Sequence, residues 1–139
     1  MSKNEELGLP FGDGMERVLV AFDVDGTLIN GEEVNISTVS LMDFFGKQKW
    51  KNVDVIVWSG GGADYARTMM NRITGPYAEF NVKYYSKFDY KELRKKYDKI
   101  IAFDDIQDTR LGDVNLIVRN KFVSVDAIQA ERAKLKEVK

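Results

Sequence analysis

The sequence contains no cysteine and no histidine. The absence of cysteine excludes disulfide bonds, thiolate catalysis and zinc sites with cysteine ligands. The absence of histidine excludes Ser-His-Asp and Cys-His catalytic sites and histidine-ligated metals. An enzyme built from this chain must therefore take its acid–base groups from carboxylates, lysine or tyrosine.

Long apolar runs and a strong excess of one charge are also lacking. No segment approaches the roughly 20 apolar residues that a membrane span requires, and the N-terminal residues lack the pattern of a signal peptide. The net charge of −1 gives no overall attraction to nucleic acid or to an anionic membrane. We therefore expect a cytoplasmic protein with no membrane partner.

What is present is the pattern of a single α/β domain. Residues 1–14 are polar and rich in glycine and are expected to form a flexible tail before one domain that spans residues 15–139. Short segments rich in valine and isoleucine alternate with segments of helical periodicity, which predicts a three-layer, Rossmann-like domain around a parallel sheet of about five strands. The predicted strands are 18–22, 53–58, 82–85, 100–103 and 114–118, and the predicted helices are 36–45, 63–73, 90–97 and 126–137.

The strongest chemical signal is a pair of carboxylates at the end of the first predicted strand. Asp23 and Asp25 are separated by one residue, so an extended backbone places them on the same side. Two like charges this close are costly unless a cation balances them, and carboxylate oxygens suit Mg²⁺. Gly26 then allows a sharp turn at the rim where open α/β sheets hold their ligands. The pattern predicts a magnesium site at this rim.

Two further predicted strands are followed by residues suited to phosphate. Ser59 precedes three glycines that begin with Gly60, and such a loop lets the backbone approach a bound phosphate closely. Lys87 follows the third predicted strand and is a candidate cation for balancing phosphate charge. Its neighbours Lys83 and Lys91 are the alternatives for that role.

The fourth predicted strand runs directly into a cluster of acids. Asp104, at the strand end, is a candidate for a metal ligand. The second acid is either Asp105, which is adjacent, or Asp108, which lies four residues further on.

These residues resemble the motifs of a known family. The segment Asp23-Val-Asp-Gly-Thr-Leu28 is similar to the first motif of the haloacid dehalogenase-like (HAD) superfamily, most of whose members are phosphatases. The serine, the lysine and the final acids follow in the family's order, so that the resemblance covers residues 18–108, about two thirds of the chain. It implies a HAD-like catalytic domain that hydrolyses phosphomonoesters with the help of Mg²⁺.

The resemblance also implies a role for each candidate residue. Asp23 is the nucleophile that forms an aspartyl-phosphate, and Asp25 is the general acid and base. The implied phosphate-binding residues are Ser59, Gly60 and Lys87. The implied metal ligands are Asp23, Asp104, Asp105, Asp108, the backbone carbonyl of Val24 and, more weakly, that of Asp25.

The spacing of the motifs leaves no room for a cap domain. Asp23 and Ser59 are 36 residues apart, and Ser59 and Lys87 are 28 apart. We therefore expect a capless member whose open site accepts a bulky phosphate, such as a nucleotide, a nucleic-acid end or a phosphoprotein. A small substrate would fit if a homo-oligomer supplied the lid. Water exclusion then depends on the hairpin-like segment 30–35, on a neighbouring subunit or on the substrate.

Segment 83–99 interleaves lysine and arginine with tyrosine. Tyrosines can stack on bases while the basic side chains meet phosphates, which is typical of nucleic-acid binding. The simpler interpretation is an amphipathic helix with a solvated basic face.

Two other functions use similar residues. A phospho-acceptor signalling module of the receiver type also combines aspartate, Mg²⁺, serine or threonine, and lysine on a parallel sheet, but its acids follow the strands in a different order. A catalytically inactive HAD-like binding domain is the second alternative, which the complete set of acids argues against.

Overall fold

A computed structural model of the protein describes residues 15–75, 79–105, 111–118 and 123–124. The five predicted strands and the first three predicted helices are confirmed, with the first helix three residues longer than predicted. The predicted tail 1–14, the predicted helix 126–137 and Asp108 lie outside the described residues. The elements are β1 (Val18–Asp23), β2 (Ile29–Asn30), β3 (Glu33–Val34), α1 (Ile36–Gln48), β4 (Val53–Ser59), α2 (Ala63–Thr74), β5 (Lys83–Ser86), a 3₁₀ turn (Lys87–Asp89), α3 (Tyr90–Lys96), β6 (Lys99–Asp104), β7 (Val114–Ile117) and β8 (Val123–Ser124).

The central sheet has five parallel strands in the order β5-β4-β1-β6-β7. When only these five strands are numbered along the chain, β1, β4, β5, β6 and β7 become strands 1 to 5. Their order in the sheet is then 3-2-1-4-5, as in Rossmann-like folds. The direction of winding reverses between β1 and β6. In open α/β sheets the crevice at the carboxyl ends of the strands beside such a reversal is the usual ligand site.

Helices cover both faces of the sheet and make a three-layer domain. Successive residues of β1 point to opposite faces, so Val20 and Phe22 pack toward α1 and α2 whereas Leu19 and Ala21 pack toward α3. Phe22 also stacks on Phe103 of β6, with ring centroids 4.4 Å apart. None of the helices in the described part of the chain is long and apolar enough to cross a membrane.

A small antiparallel sheet lies beside the central one. β2 and β3 form a hairpin, which confirms the hairpin predicted for segment 30–35, and β8 pairs with β3. Arg72 of α2 fixes the turn of this hairpin, because its guanidinium binds the Glu32 carboxylate at 2.5 Å and the Gly31 carbonyl at 3.3 Å. The hairpin and α2 are thus tied together.

Helix α1 packs tightly against its surroundings at Gly46. A Cβ at this position would lie 2.6 Å from the backbone oxygen of Asn81, and the Asn81 side chain donates to the Gly46 carbonyl at 3.1 Å. At an exposed helix position, replacing glycine with alanine raises the free energy of unfolding by about 1 kcal/mol. A side chain that clashes with its surroundings lowers it by about 1–3 kcal/mol.

We therefore expect Gly46→Ala to lower the free energy of unfolding by about 1–2 kcal/mol, because the clash outweighs the gain in helix propensity. Urea denaturation measures the change. Ser40→Ala, on the exposed side of the same helix, is the matched control and should be neutral or slightly stabilising. A Gly46→Ala variant at least as stable as the wild type would contradict the packing described for α1.

Candidate active site

Four neighbouring strands of the central sheet end on polar residues at the same edge. β1 ends at Asp23, β4 at Ser59, β5 at Ser86 directly before Lys87, and β6 at Asp104. Because all these strands are parallel, their carboxyl ends meet at one edge. The placement predicted from the sequence is therefore realised for all four strand ends.

Lys87 makes the central contact of the site. Its ammonium nitrogen lies 2.6 Å from Asp23 Oδ1 and 3.0 Å from Asp104 Oδ2. The three side chains are only 19%, 8% and 6% exposed for Lys87, Asp23 and Asp104 respectively. Lys83 is exposed at the start of β5, the opposite edge of the sheet, and Lys91 is exposed on α3. Of the three lysines considered from the sequence, the structure brings Lys87 to the acids.

Asp105 completes an acidic cluster with Asp23 and Asp104. One carboxylate oxygen from each of the three lies within 4.8 Å of the others. The Asp105 amide donates to Asp104 Oδ1 at 2.7 Å, and Asp105 Oδ1 is buried with no hydrogen-bond partner in the part of the chain described. Three carboxylates thus lie close together, and a buried acceptor without a donor is costly. The cluster therefore fits a hard divalent cation.

Gly26 packs against this cluster. Its φ is +82°, and a Cβ there would lie 1.9 Å from Asp105 Oδ2. Both the left-handed backbone and the close approach require glycine. The turn after β1 and the acid after β6 consequently fit together only when residue 26 has no side chain.

The turn after β1 is built on the carbonyl of Val24. This oxygen accepts the amides of Thr27 at 3.3 Å and of Leu28 and Ile29 at 3.0 Å each. The turn brings the Thr27 hydroxyl to Asp23 Oδ2, to which it donates at 3.1 Å. The sequence predicted the Val24 carbonyl as a metal ligand. In the structure this oxygen already accepts three amide hydrogen bonds within the turn.

The glycine loop after β4 carries the predicted phosphate-binding residues. Ser59 is buried, and its hydroxyl accepts the Gly61 amide at 3.0 Å. Gly60 is exposed, with open space where a side chain would be. The loop therefore leaves room at this edge for a ligand to approach the backbone.

Asp25 is exposed and contacts a residue that sequence reasoning did not assign to the site. The Tyr65 hydroxyl donates to Asp25 Oδ1 at 2.8 Å. Tyr65 is 37% exposed. No sequence signal links residues 40 positions apart, so this contact could be found only from the fold.

Burial and ion pairing act in opposite directions on the charges of the site. Burial raises the pKa of Asp23 to about 6, although the hydrogen bond and charge of Lys87 act against the rise. Burial lowers the pKa of Lys87, but Asp23 and Asp104 outweigh it and leave the pKa above its usual value. Burial and Asp104 also raise the pKa of Asp105. Lys87 thus stays charged at neutral pH, whereas burial makes the ionised forms of Asp23 and Asp105 less favourable.

The basic segment 83–99 is accounted for by packing and ion pairs. Tyr84 is buried, and Tyr85, Tyr90 and Tyr97 pack against the core beneath α3. The bidentate ion pair of Arg94 with Asp113 is one of several that these basic residues make. This agrees with the simpler interpretation, an amphipathic helix with a solvated face.

No family model, no curated protein and no solved structure matches this chain.

The raised pKa of Asp23 predicts a pH-dependent cost to stability in the metal-free protein. A carboxyl whose folded pKa exceeds its unfolded value destabilises the fold as pH rises from about 4 to about 6, and the difference corresponds to about 3 kcal/mol at neutral pH. In the presence of a chelator, Asp23→Asn should therefore be more stable than the wild type at pH 7, by up to about 3 kcal/mol, and equal to it at pH 4.

Urea denaturation at the two pH values measures this difference. Asp43→Asn, which removes a carboxylate of the α1 ion pair with Lys47, serves as the control and should show no such gain. If Asp23→Asn were less stable than the wild type at pH 7, the cost assigned to the buried carboxylate would be wrong.

Proposed function

We propose that this protein is a Mg²⁺-dependent phosphohydrolase of the HAD type that cleaves a phosphomonoester through an aspartyl-phosphate on Asp23. The observation that carries the proposal is the cluster of three carboxylates around the Lys87 ammonium, beside the reversal of winding between β1 and β6. The resemblance of the four strand-end motifs to that family supports the same chemistry.

The residues that would hold Mg²⁺ are Asp23 and Asp104, with Asp105 as the second acid after β6. The unpaired Asp105 oxygen supports this set. Since the Val24 carbonyl already accepts three amides, the backbone ligand in this proposal is the carbonyl of Asp25. When bound, the ion supplies positive charge that orients the phosphoryl group and balances its oxygens.

The protein's own residues carry out two in-line displacements. In the first, the Asp23 carboxylate attacks phosphorus, the bond to the leaving oxygen breaks, and Asp25 donates a proton to that oxygen. In the second, Asp25 takes a proton from water, the water oxygen attacks phosphorus, and inorganic phosphate leaves as the Asp23 carboxylate is regenerated. Lys87, Ser59 and the backbone at Gly60 hold the phosphoryl oxygens throughout.

The described segments between β1 and β5 leave no room for a cap over this site. Between β1 and β4 the structure holds only the β2–β3 hairpin and α1. Between β4 and β5 it holds α2, and residues 76–78 lie outside its description. An open site of this kind suits a bulky phosphomonoester, for which a nucleotide or a nucleic-acid end is the candidate. A homo-oligomer that covers the site would instead allow a small substrate.

The strand order favours this proposal over the receiver-type alternative. Receiver-like sheets follow the flavodoxin-like order 2-1-3-4-5, whereas this sheet follows 3-2-1-4-5. The acids also lie after the first and fourth strands of the sheet, rather than after the first and third.

Mg²⁺ should stabilise the folded protein through the acidic cluster. An ion that binds only the folded state at about 100 times its Kd adds about 3 kcal/mol, which raises the melting temperature. Asp104→Asn and Asp105→Asn should each shrink that rise, whereas the control Asp43→Asn should keep it in full. Differential scanning calorimetry with Mg²⁺ and with chelator gives the result. A rise that survives both site substitutions would place the metal elsewhere.

Phosphate release from p-nitrophenyl phosphate tests the reaction itself. We expect Mg²⁺-dependent turnover by the wild type and by Asp43→Asn, and loss of at least about a thousandfold in Asp23→Asn, because the nucleophile is gone. Chelator should abolish the wild-type activity. If the wild type bound Mg²⁺ but released no phosphate from this or from nucleotide, sugar and peptide phosphates, a binding domain would be the better description.

A further inference from the structure

Tyr65 joins the two loops that form the open side of the site. It lies in the first turn of α2, directly after the glycine loop, and its hydroxyl donates to Asp25 Oδ1 at 2.8 Å. A Cβ on Gly61 would lie 3.0 Å from the Tyr65 ring, so the ring rests on that glycine. The loop after β4 is therefore connected to the loop after β1 through this one side chain.

The helix that carries Tyr65 is itself fixed. At its other end, Arg72 binds the Glu32 carboxylate and the Gly31 carbonyl of the β2–β3 turn, and Met70 and Ile73 are buried in the core. A hydroxyl presented by a fixed helix restrains the group to which it donates. Asp25, by contrast, is exposed and would otherwise sample several rotamers.

We infer that Tyr65 is a positioning residue that holds the Asp25 carboxyl group where it meets the leaving oxygen of the substrate. The inference rests on the proposed function and extends it, because it names what orients the acid in a site that has no cap. Proton transfer needs the donor within hydrogen-bond reach of the oxygen, and a loss of orientation lowers the rate without weakening the binding of the phosphoryl group.

A substrate series separates positioning from a merely structural role. In p-nitrophenyl phosphate the leaving group departs readily without a proton, whereas phenyl phosphate and an alkyl phosphate depend on proton donation. Tyr65→Phe keeps the ring over Gly61 and removes only the hydroxyl. It should leave kcat/KM on p-nitrophenyl phosphate within about twofold of the wild type and lower kcat/KM on the poorer leaving groups about tenfold, because kcat/KM reports phosphoryl transfer to Asp23 and not the later hydrolysis, in which Asp25 also acts.

Tyr97→Phe is the matched control. The Tyr97 hydroxyl donates to Asp54 Oδ2 at 2.5 Å, which is the same kind of Tyr–Asp bond, but Asp54 lies near the amino end of β4, away from the site. This variant should show no dependence on the leaving group. In an Asp25→Asn background, Tyr65→Phe should cause no further loss, since it acts through Asp25.

The outcomes distinguish the inference from the function on which it rests. A wild type with no Mg²⁺-dependent activity on any of the substrates overturns both. An active wild type whose Tyr65→Phe variant behaves like Tyr97→Phe across the series overturns the positioning role alone. So does an equal loss of kcat/KM on all leaving groups, or a further loss in the Asp25→Asn background.

Discussion

The contact between the Lys87 ammonium and the carboxylates of Asp23 and Asp104 is the interaction on which the rest of the site depends. It joins the carboxyl ends of β5, β1 and β6 across the reversal in the sheet. Building such a buried set of charges gives little net stability. In the described part of the chain, three carboxylates gather at this point, which suits a bound cation better than a purely structural contact.

The surrounding backbone is arranged to keep that contact close. Gly26 turns with a positive φ and lets Asp105 pack against the loop after β1, while the Val24 carbonyl gathers three amides and brings the Thr27 hydroxyl onto Asp23. Polar and charged groups are thus held in fixed positions, as the proposed stabilisation of a transferring phosphoryl group requires. The burial of Asp23, which raises its pKa, lowers the free energy of unfolding at neutral pH in return.

Much of this could be predicted from the sequence because the relevant signals are local. The five strands of the central sheet are short apolar runs, and each site residue directly follows one of them, so a parallel sheet places Asp23, Lys87 and Asp104 at one edge. The contacts that were not predicted are long-range or backbone effects. β8 is only two residues long, the bond from Tyr65 to Asp25 spans 40 positions, and the use of the Val24 carbonyl depends on the turn geometry.

The central claim is that Asp23 carries the phosphoryl group, and trapping that intermediate tests it most directly. The wild-type protein is quenched in acid during turnover of p-nitrophenyl phosphate with Mg²⁺, reduced with borohydride and mapped by peptide mass spectrometry. The account predicts that residue 23 is converted to homoserine, and that neither chelator-treated wild type nor Asp23→Asn shows the change. Turnover with an unmodified residue 23, or modification at another carboxylate, would contradict it.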